Sequence, residues 1–377
     1  MRPESAGKSA AFLGTSALIT RVPKGTCLII TPWNYPVNIT LGQLVSALAA
    51  GNTVVLKPSE HTPYTSALMH RMIAELFDES DAAVVEGSHH VAEKLLELPF
   101  NHIAFTGSVS AGQMVMRAAA AHMSSVTLEL GGKSPCYVHH DAAIGDASEK
   151  IAAAKMVNAG QSCVAPDYIL AHHDIAESLA HTLKKSVKRY YDKTGDGSSP
   201  YFASIINDIH YNRLSNLVQG FVANEQLRSL RIMEPAIIAN ATPEHPAMKD
   251  EIFGPLLPVI PVQHEAEAIR IIHSIPEPLT VSVYARDRGV LEVFRKETRS
   301  GTLSFNESAL HYLNPHLPFG GSGRSGIGRL HGKAGFMAFS DERVIFMQRT
   351  GLTMAKLLYP PYGRWKKLMV EFLLKYM

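Results

Sequence analysis

Between Cys27 and Leu130 the sequence keeps one beat: a short β-branched run, an amphipathic stretch, then another run. The runs are Cys27–Thr31, Thr53–Lys57, Ala82–Glu86, His102–Thr106 and Val126–Leu130. After the first, Val37, Leu41, Leu44, Val45 and Leu48 fall on one helical face, and Gly51 suits the stop. After the second, Thr62 and Pro63 read as an N-cap and first helical residue. Ala67, Leu68, Ile73, Leu76 and Phe77 then continue the stripe. Strand and helix alternating at this length predict βαβ units and a parallel sheet. Ligands of such sheets bind beyond the carboxyl ends of the strands. The turns after Thr31, Lys57, Glu86, Thr106 and Leu130 are therefore where chemistry is expected.

Past Gly131-Gly132 the pattern changes. Asp146 to Val157 and Ile175 to Tyr191 read as helices, Tyr168–Ala171, Leu257–Val262 and Thr280–Tyr284 as strands, and Thr194 to Pro200 as a loop. A second α/β domain is expected there. Strand-like Val344–Met347, a Pro360-Pro361 break and a short helical end close the chain. Its 377 residues suffice for two or three domains. Charge argues against a nucleic-acid partner held by bulk electrostatics, since 36 basic and 34 acidic residues leave a net +2. Cys27, Cys136 and Cys163 make neither a disulfide framework nor a CxxC metal motif. No metal is expected, and a reducing compartment is. Met1 to Ala11 does not read as a secretory leader, so a cytoplasmic location is expected. Leu368 to Met377 is about half the length of a membrane span.

Five segments carry candidate chemistry, each with a plainer reading beside it. Cys163, in Asn158-Ala-Gly-Gln-Ser-Cys163, has small neighbours that leave its sulfur accessible, although a lone cysteine is more often a buried apolar residue. Glu129 ends an apolar strand beside two glycines, where poor solvation would raise its pKa and suit it to act as a base. An edge-strand glutamate facing solvent is equally compatible. Asn34 lies between a strand and Pro36, where an amide can stabilise a developing oxyanion or simply occupy a turn. Lys57 and Glu60 follow the second strand and can hold sugar hydroxyls or form a solvated turn. Phe105 to Gly112 reads strand, loop, helix, an arrangement whose backbone N–H groups bind anions. Gly321 to Gly326 fits GxGxxG but has no strand before it, and Gly132-Lys-Ser134 lacks the first glycine of a P-loop.

Taken together, Pro32-Trp-Asn-Tyr-Pro36, Lys57-Pro-Ser-Glu60, Phe105-Thr-Gly-Ser108, Leu128-Glu-Leu-Gly-Gly-Lys133, Gly160-Gln-Ser-Cys163, Glu251-Ile-Phe-Gly-Pro255 and Leu317-Pro-Phe-Gly-Gly321 stand in the order and spacing of one family. The chain resembles the aldehyde dehydrogenase superfamily from about Ile19 to Phe346. Trp-Asn-Tyr-Pro, Cys163 to Tyr168 and Arg329 to Lys333 look most like its class 3 branch, which handles fatty and aromatic aldehydes. The resemblance implies a Rossmann-like parallel-sheet cofactor domain over residues 24–131 and an α/β catalytic domain over 132–339. It also implies a small oligomerisation arm (1–23) and a C-terminal segment (340–377) that joins it.

By the same resemblance Cys163 is the nucleophile, and Asn34 with the Cys163 backbone N–H holds the oxyanion. Glu129 is the general base that hydrolyses the thioester. Lys57 and Glu60 would hold the adenosine ribose, and Gly107 and Ser108 would approach the pyrophosphate. Glu251 would bind the nicotinamide ribose, and Phe253 would pack near the ring. NAD is the implied cofactor, with NADP also accepted in class 3 relatives.

The family usually carries a helical region ahead of the segment corresponding to Met1–Lys24, and its absence is expected to expose apolar surface and weaken nucleotide binding. A shortened Phe221 to Pro243 is expected to alter only the outer surface. A homodimer through Leu13 to Pro23 is implied. The stripe Trp365, Leu368, Met369, Phe372 and Leu373, with basic flanks, reads as packing on its own protein or touching a membrane surface. The substrate pocket is expected to take its lining from Tyr35, Tyr168, Tyr312 and the tail. The alternative is a catalytically weak or inactive homologue serving as an assembly or regulatory subunit. An acylating dehydrogenase would lack the base that Glu129 supplies, and a thiol hydrolase would leave the nucleotide motifs unexplained.

Overall fold

The computed structural model describes residues 3–5, 14–191, 202–218, 220, 224–351, 356 and 359–376. The expected loop at 194–200, Leu13, and the start of the 221–243 stretch lie outside them. The chain begins with β1 (Glu4–Ser5) and β2 (Thr15–Pro23). It continues through β3 (Thr26–Ile30), α1 (Pro36–Ala49), β4 (Thr53–Lys57), α2 (Pro63–Leu76), β5 (Ala82–Val84), α3 (His89–Leu96), β6 (His102–Gly107), α4 (Val109–Ala121) and β7 (Ser125–Leu130). Strands β3 to β7 form a parallel sheet in the order β7-β6-β3-β4-β5. From β3 the chain builds outward through β4 and β5, then returns to β3's other side through β6 and β7. A crevice therefore opens beyond the carboxyl ends of β3 and β6, where strand order reverses. Both faces of this sheet are covered. Cys27, Ile29, Leu56 and Ala104 face one apolar cluster and Leu28, Ile103, Leu128 and Leu130 the other. That explains why its strands read as continuous apolar runs.

The second half contributes β8 (Pro135–Val138), α5 (Ile144–Met156), β9 (Tyr168–His172), α6 (His173–Tyr191), α7 (Asp208–Ser215), α8 (Glu225–Ser229), β10 (Ala236–Ile238), β11 (Leu256–Val262), α9 (Glu265–His273), β12 (Thr280–Tyr284), α10 (Arg288–Glu297) and β13 (Thr302–Phe305). Its parallel sheet runs β10-β11-β9-β8-β12-β13, again with an apolar cluster on each face. The segment Gly131–Ser134 joins the two sheets. A Cβ added at Gly131 would lie 2.1 Å from Glu251 Oε2, so a larger residue there would push the Glu251 carboxylate aside.

The chain then crosses back. β14 (Gly326–Ile327) pairs antiparallel with Glu129 and Leu128 and becomes the new edge of the first sheet. α11 (Gly332–Ala338) follows, and β15 (Ser340–Gln348) pairs antiparallel with the whole of β2, giving the three-stranded sheet β1-β2-β15. The tail after Ser340 thus joins the arm as the sequence suggested. α12 (Arg364–Tyr376) does not bury its stripe: Trp365, Leu368 and Phe372 are exposed. Among the described residues no helix is long and apolar enough to cross a membrane.

Candidate active site

Cys163 sits in the turn between α5 and β9, and the backbone entering that turn is unusual. Asn158, Ala159 and Gly160 all have positive φ, at 53°, 52° and 74°. A left-handed non-glycine residue costs roughly 1–2 kcal/mol, so other contacts must hold the turn. Gln161 does much of this. Its Nε2 donates to Asn158 O (3.0 Å) and Ser204 O (3.1 Å), and its Oε1 accepts from Ile206 N (3.0 Å). Gly160 is also required for space, since a Cβ there would stand 2.2 Å from Gly254 O.

The Asn34 loop, which follows β3, is tied to the same turn. Asn158 Nδ2 donates to Asn34 O at 2.9 Å, and Asn34 Nδ2 donates to Gln161 O at 3.2 Å. An amide nitrogen carries two hydrogens, so one donor of Asn34 is left. Its Oδ1 is buried without a partner.

Glu129 is buried, at 4% exposure, with Thr106 and Cys163 packed against its carboxyl. The solvent-facing reading of this residue is thereby excluded. Burial pushes its carboxyl up to about 7, while the side chains of Cys163 and Thr106, turned toward it, oppose the shift. Thr106 is itself fixed by Gln43 Nε2, which donates to its hydroxyl at 2.9 Å. Burial, then the negative charges of Glu129 and Glu251, push the Cys163 thiol well above its usual range. The resting thiol is protonated and has a carboxylate beside it.

Both residues open onto one cavity of about 450 Å³ between the sheets. Its walls are largely apolar and include Tyr35, Ile39, Val157, Leu310, Tyr312 and Phe319. Two expectations need correction here. Tyr168 does not line the cavity; it is fully buried beneath the Lys133 ammonium, 5.6 Å from its ring centre. Nor, among the described residues, does α12 contribute to the lining.

The crevice at the end of the first sheet holds the remaining candidates. Lys57 is buried rather than solvated, donates to Pro58 O at 2.7 Å and stands 3.8 Å from the Glu60 carboxylate. Burial lowers its pKa and Glu60 partly restores it. Ser108 caps α4 by accepting from Ala111 N at 3.3 Å, so the free N–H groups of that helix face the crevice. Glu251 leans on Gly131 and Gly132 and is pushed up to about 8, first by burial and then by Asp167. Phe253, at φ 49°, meets the edge of Trp33 at 5.5 Å.

Sequence reasoning assigned no role to Lys133 and Asp167. Their buried ion pair clamps this loop: Lys133 also donates to Ala247 O (2.6 Å) and Asp250 O (3.0 Å), and Asp167 accepts from Ile252 N (2.9 Å). The signal was present as a lysine within an otherwise small, apolar linker. Of the two lookalike motifs, Gly132-Lys-Ser134 is this clamp, and Gly321 to Gly326 is a turn leading into β14.

The aldehyde dehydrogenase family matches residues 3–345. The chain is 39% identical over 363 residues to 4,4'-diaponeurosporen-aldehyde dehydrogenase of Staphylococcus aureus, covering 95% of this chain and 79% of that protein. It is 40% identical over 347 residues to the dimeric NADP-preferring aldehyde dehydrogenase of Rattus norvegicus, covering 90% and 76%. The substrate-bound structure of Staphylococcus aureus AldH superposes with a TM-score of 0.93 at 37% identity, over 98% of this chain and 82% of that one. The chain belongs to the aldehyde dehydrogenase family, whose members oxidise aldehydes to acids with a nicotinamide cofactor.

Proposed function

We propose that Cys163 is the nucleophile, Asn34 the oxyanion donor and Glu129 the general base. The observation that carries this reading is the opening of the Cys163 thiol and a buried carboxyl of raised pKa into one apolar cavity. Glu129, once ionised, takes the thiol proton, and the sulfur attacks the aldehyde carbon. The second N–H of Asn34 and the backbone N–H of Cys163 stabilise the oxyanion of the thiohemiacetal. A bound nicotinamide supplies the two-electron acceptor that converts this adduct to the thioester. Glu129 releases the thiol proton to solvent and, ionised again, removes a proton from water; water attacks the thioester, and the acid leaves as that proton returns to the sulfur.

The residues at the crevice fit such a cofactor. The N-terminus of α4 suits a pyrophosphate, with Gly107 and Ser108 at its entrance. Lys57 and Glu60 suit ribose hydroxyls, and Glu251 and Phe253 the nicotinamide end. The Glu60 carboxylate opposes a 2′-phosphate, so NAD is favoured over NADP. The cavity's volume and aromatic walls favour medium- to long-chain aliphatic or aromatic aldehydes.

A homodimer formed along β15 completes the reading. Among the described residues that strand lies at the edge of its sheet and exposes Val344, Phe346 and Met347 beside β2, and exposed apolar edges recruit partners. Light scattering is expected to give twice the chain mass.

The deciding experiment is NADH formation with decanal and, separately, a cinnamyl-type aldehyde, beside Cys163→Ala. Turnover is expected with at least one and is expected to fall by roughly 10,000-fold or more in the variant. Persistent turnover in a folded Cys163→Ala protein would overturn the assignment. The better aldehyde identifies the substrate class.

A further inference from the structure

Four histidines meet at the carboxyl ends of β8 and β9, remote from the Cys163 turn, which leads into the opposite end of β9. His139 and His140 follow β8 directly, His172 ends β9, and His173 opens α6. The two strands are parallel neighbours, with Val138 opposite Ala171, so the four rings converge. Ring centres are 4.0 Å apart for His139 and His140, 5.0 Å for His140 and His172, and 4.5 Å for His172 and His173.

His139 is the anchored member. It is buried, with Nδ1 2.7 Å from Asp141 Oδ1 and Nε2 3.0 Å from Glu265 Oε1. Asp141 in turn accepts backbone N–H bonds from Arg286 (3.0 Å) and Asp287 (2.8 Å). With both nitrogens engaged, His139 forms the floor of the cluster and offers no ligand atom.

In front of that floor stand His172, His173 and Asp174, with His172 Nδ1 accepting from the Asp174 backbone N–H at 3.4 Å. One ligand atom from each of His172, His173 and Asp174 lies within 4.8 Å of the others. His173 Nε2 is 3.1 Å from Asp174 Oδ1, and His172 Nδ1 is 3.5 Å from Asp174 Oδ2. A tetrahedral ion with bonds of roughly 2.0–2.1 Å sets its ligand atoms about 3.3 Å apart, close to the separation of His173 Nε2 and Asp174 Oδ1. The N-terminus of α6 opposes a cation, and the Asp174 carboxylate in its first turn supplies the offsetting charge.

We propose that His172, His173 and Asp174, faced by His140, form a binding site for a borderline divalent transition ion such as zinc or nickel(II). Two or three imidazoles with one carboxylate suit these ions rather than magnesium or calcium. Bound there, the ion clips the end of β9 to the first turn of α6 and, through His140, to the end of β8. A second group, His89, His90 and Glu93 on α3, is exposed throughout and has no buried support, so it serves as the comparison.

The test uses the full chain carrying Cys163→Ala, so that the reactive thiol does not compete for metal. Metal-free protein is titrated calorimetrically with zinc, and cobalt(II) is added in parallel to read the visible bands of a tetrahedral nitrogen–oxygen site. A single saturable site is expected, weakened at least about tenfold by His173→Ala and by Asp174→Asn and unchanged by His90→Ala. Zinc should also raise the unfolding temperature of the parent and not of the Asp174→Asn protein. Both altered side chains are solvent-accessible, and Asp174→Asn keeps the side-chain shape. The proposal is overturned if no saturable binding occurs up to millimolar zinc. It is equally overturned if affinity survives both ligand substitutions or is lost in His90→Ala.

Discussion

Glu129 and Glu60 both stand at the carboxyl ends of strands in the first sheet, yet they occupy opposite environments. Glu129 is buried, faces a thiol, and has its carboxyl pushed up to about 7. Glu60 lies exposed at the rim of the crevice, with Lys57 3.8 Å away. The same side chain is thereby suited to moving a proton in one place and accepting sugar hydroxyls in the other. What separates them is burial: Thr106 and Cys163 pack around one, and water reaches the other. Around the reaction centre the positioning contacts come from distant segments: Gln43, Asn158 and Gln161 fix Thr106, Asn34 and the Cys163 turn. At the adenosine end of the crevice they come largely from local backbone, the capped start of α4 and the turn after β4.

Removing the charge at the sealed position tests this contrast most severely. Glu129→Gln is expected to lower kcat by roughly 100- to 10,000-fold, with acyl-enzyme accumulating in rapid-quench experiments. In the parent, Glu129 holds its proton below about pH 7 and cannot act as a base, so activity should rise as pH increases through that value. That limb should be missing in the variant. Stability runs the other way. A carboxyl whose folded pKa is raised contributes stability when protonated, fully present at low pH and lost as pH rises through about 7. Glu129→Gln should therefore unfold at a higher temperature than the parent above that pH, with the gap closing on acidification. A parent enzyme with a pH-independent rate between pH 6 and pH 8, about a unit either side of this pKa, would refute the assignment.

A smaller effect is expected from Asn34→Ala. Loss of one oxyanion donor should reduce kcat by about 100- to 1,000-fold while nucleotide affinity, read by NADH fluorescence, stays within twofold or so. An equal loss in both readings would mean that Asn34 holds the turn and does not touch the reacting oxygen. The smallest change should come at the open rim. Glu60→Gln should improve kcat/KM for NADP relative to NAD by only roughly two- to fivefold, because water and salt screen an exposed carboxylate. A shift as large as that of Glu129→Gln would erase the distinction between the two environments.

Much of the fold was legible because hydrophobic periodicity is a local property. β4 and β12 begin and end where their β-branched runs do, and Gly51 follows α1 at φ +89° as a helix-terminating glycine should. β8 and β13 were missed: four-residue strands such as Pro135–Val138 are too short to show a period and sit beside glycine-rich or polar sequence. β14, a Gly-Ile pair, has no local signal at all.

The site divides along the same line. The identities of Cys163, Glu129 and Asn34, and the order of the motifs around them, were written in the sequence. Their environments were not. Whether Glu129 faced water or a buried cavity wall depended on Thr106 and the Cys163 turn packing around it, and whether Lys57 was solvated depended on packing around β4. The convergence of His139, His140, His172 and His173 likewise required β8 and β9 to lie side by side. Sequence determined which groups were available and which strands would carry them. Burial, protonation and convergence were decided by tertiary structure, because desolvation and Coulomb interactions depend on what surrounds a group in space, and those neighbours lie far away along the chain.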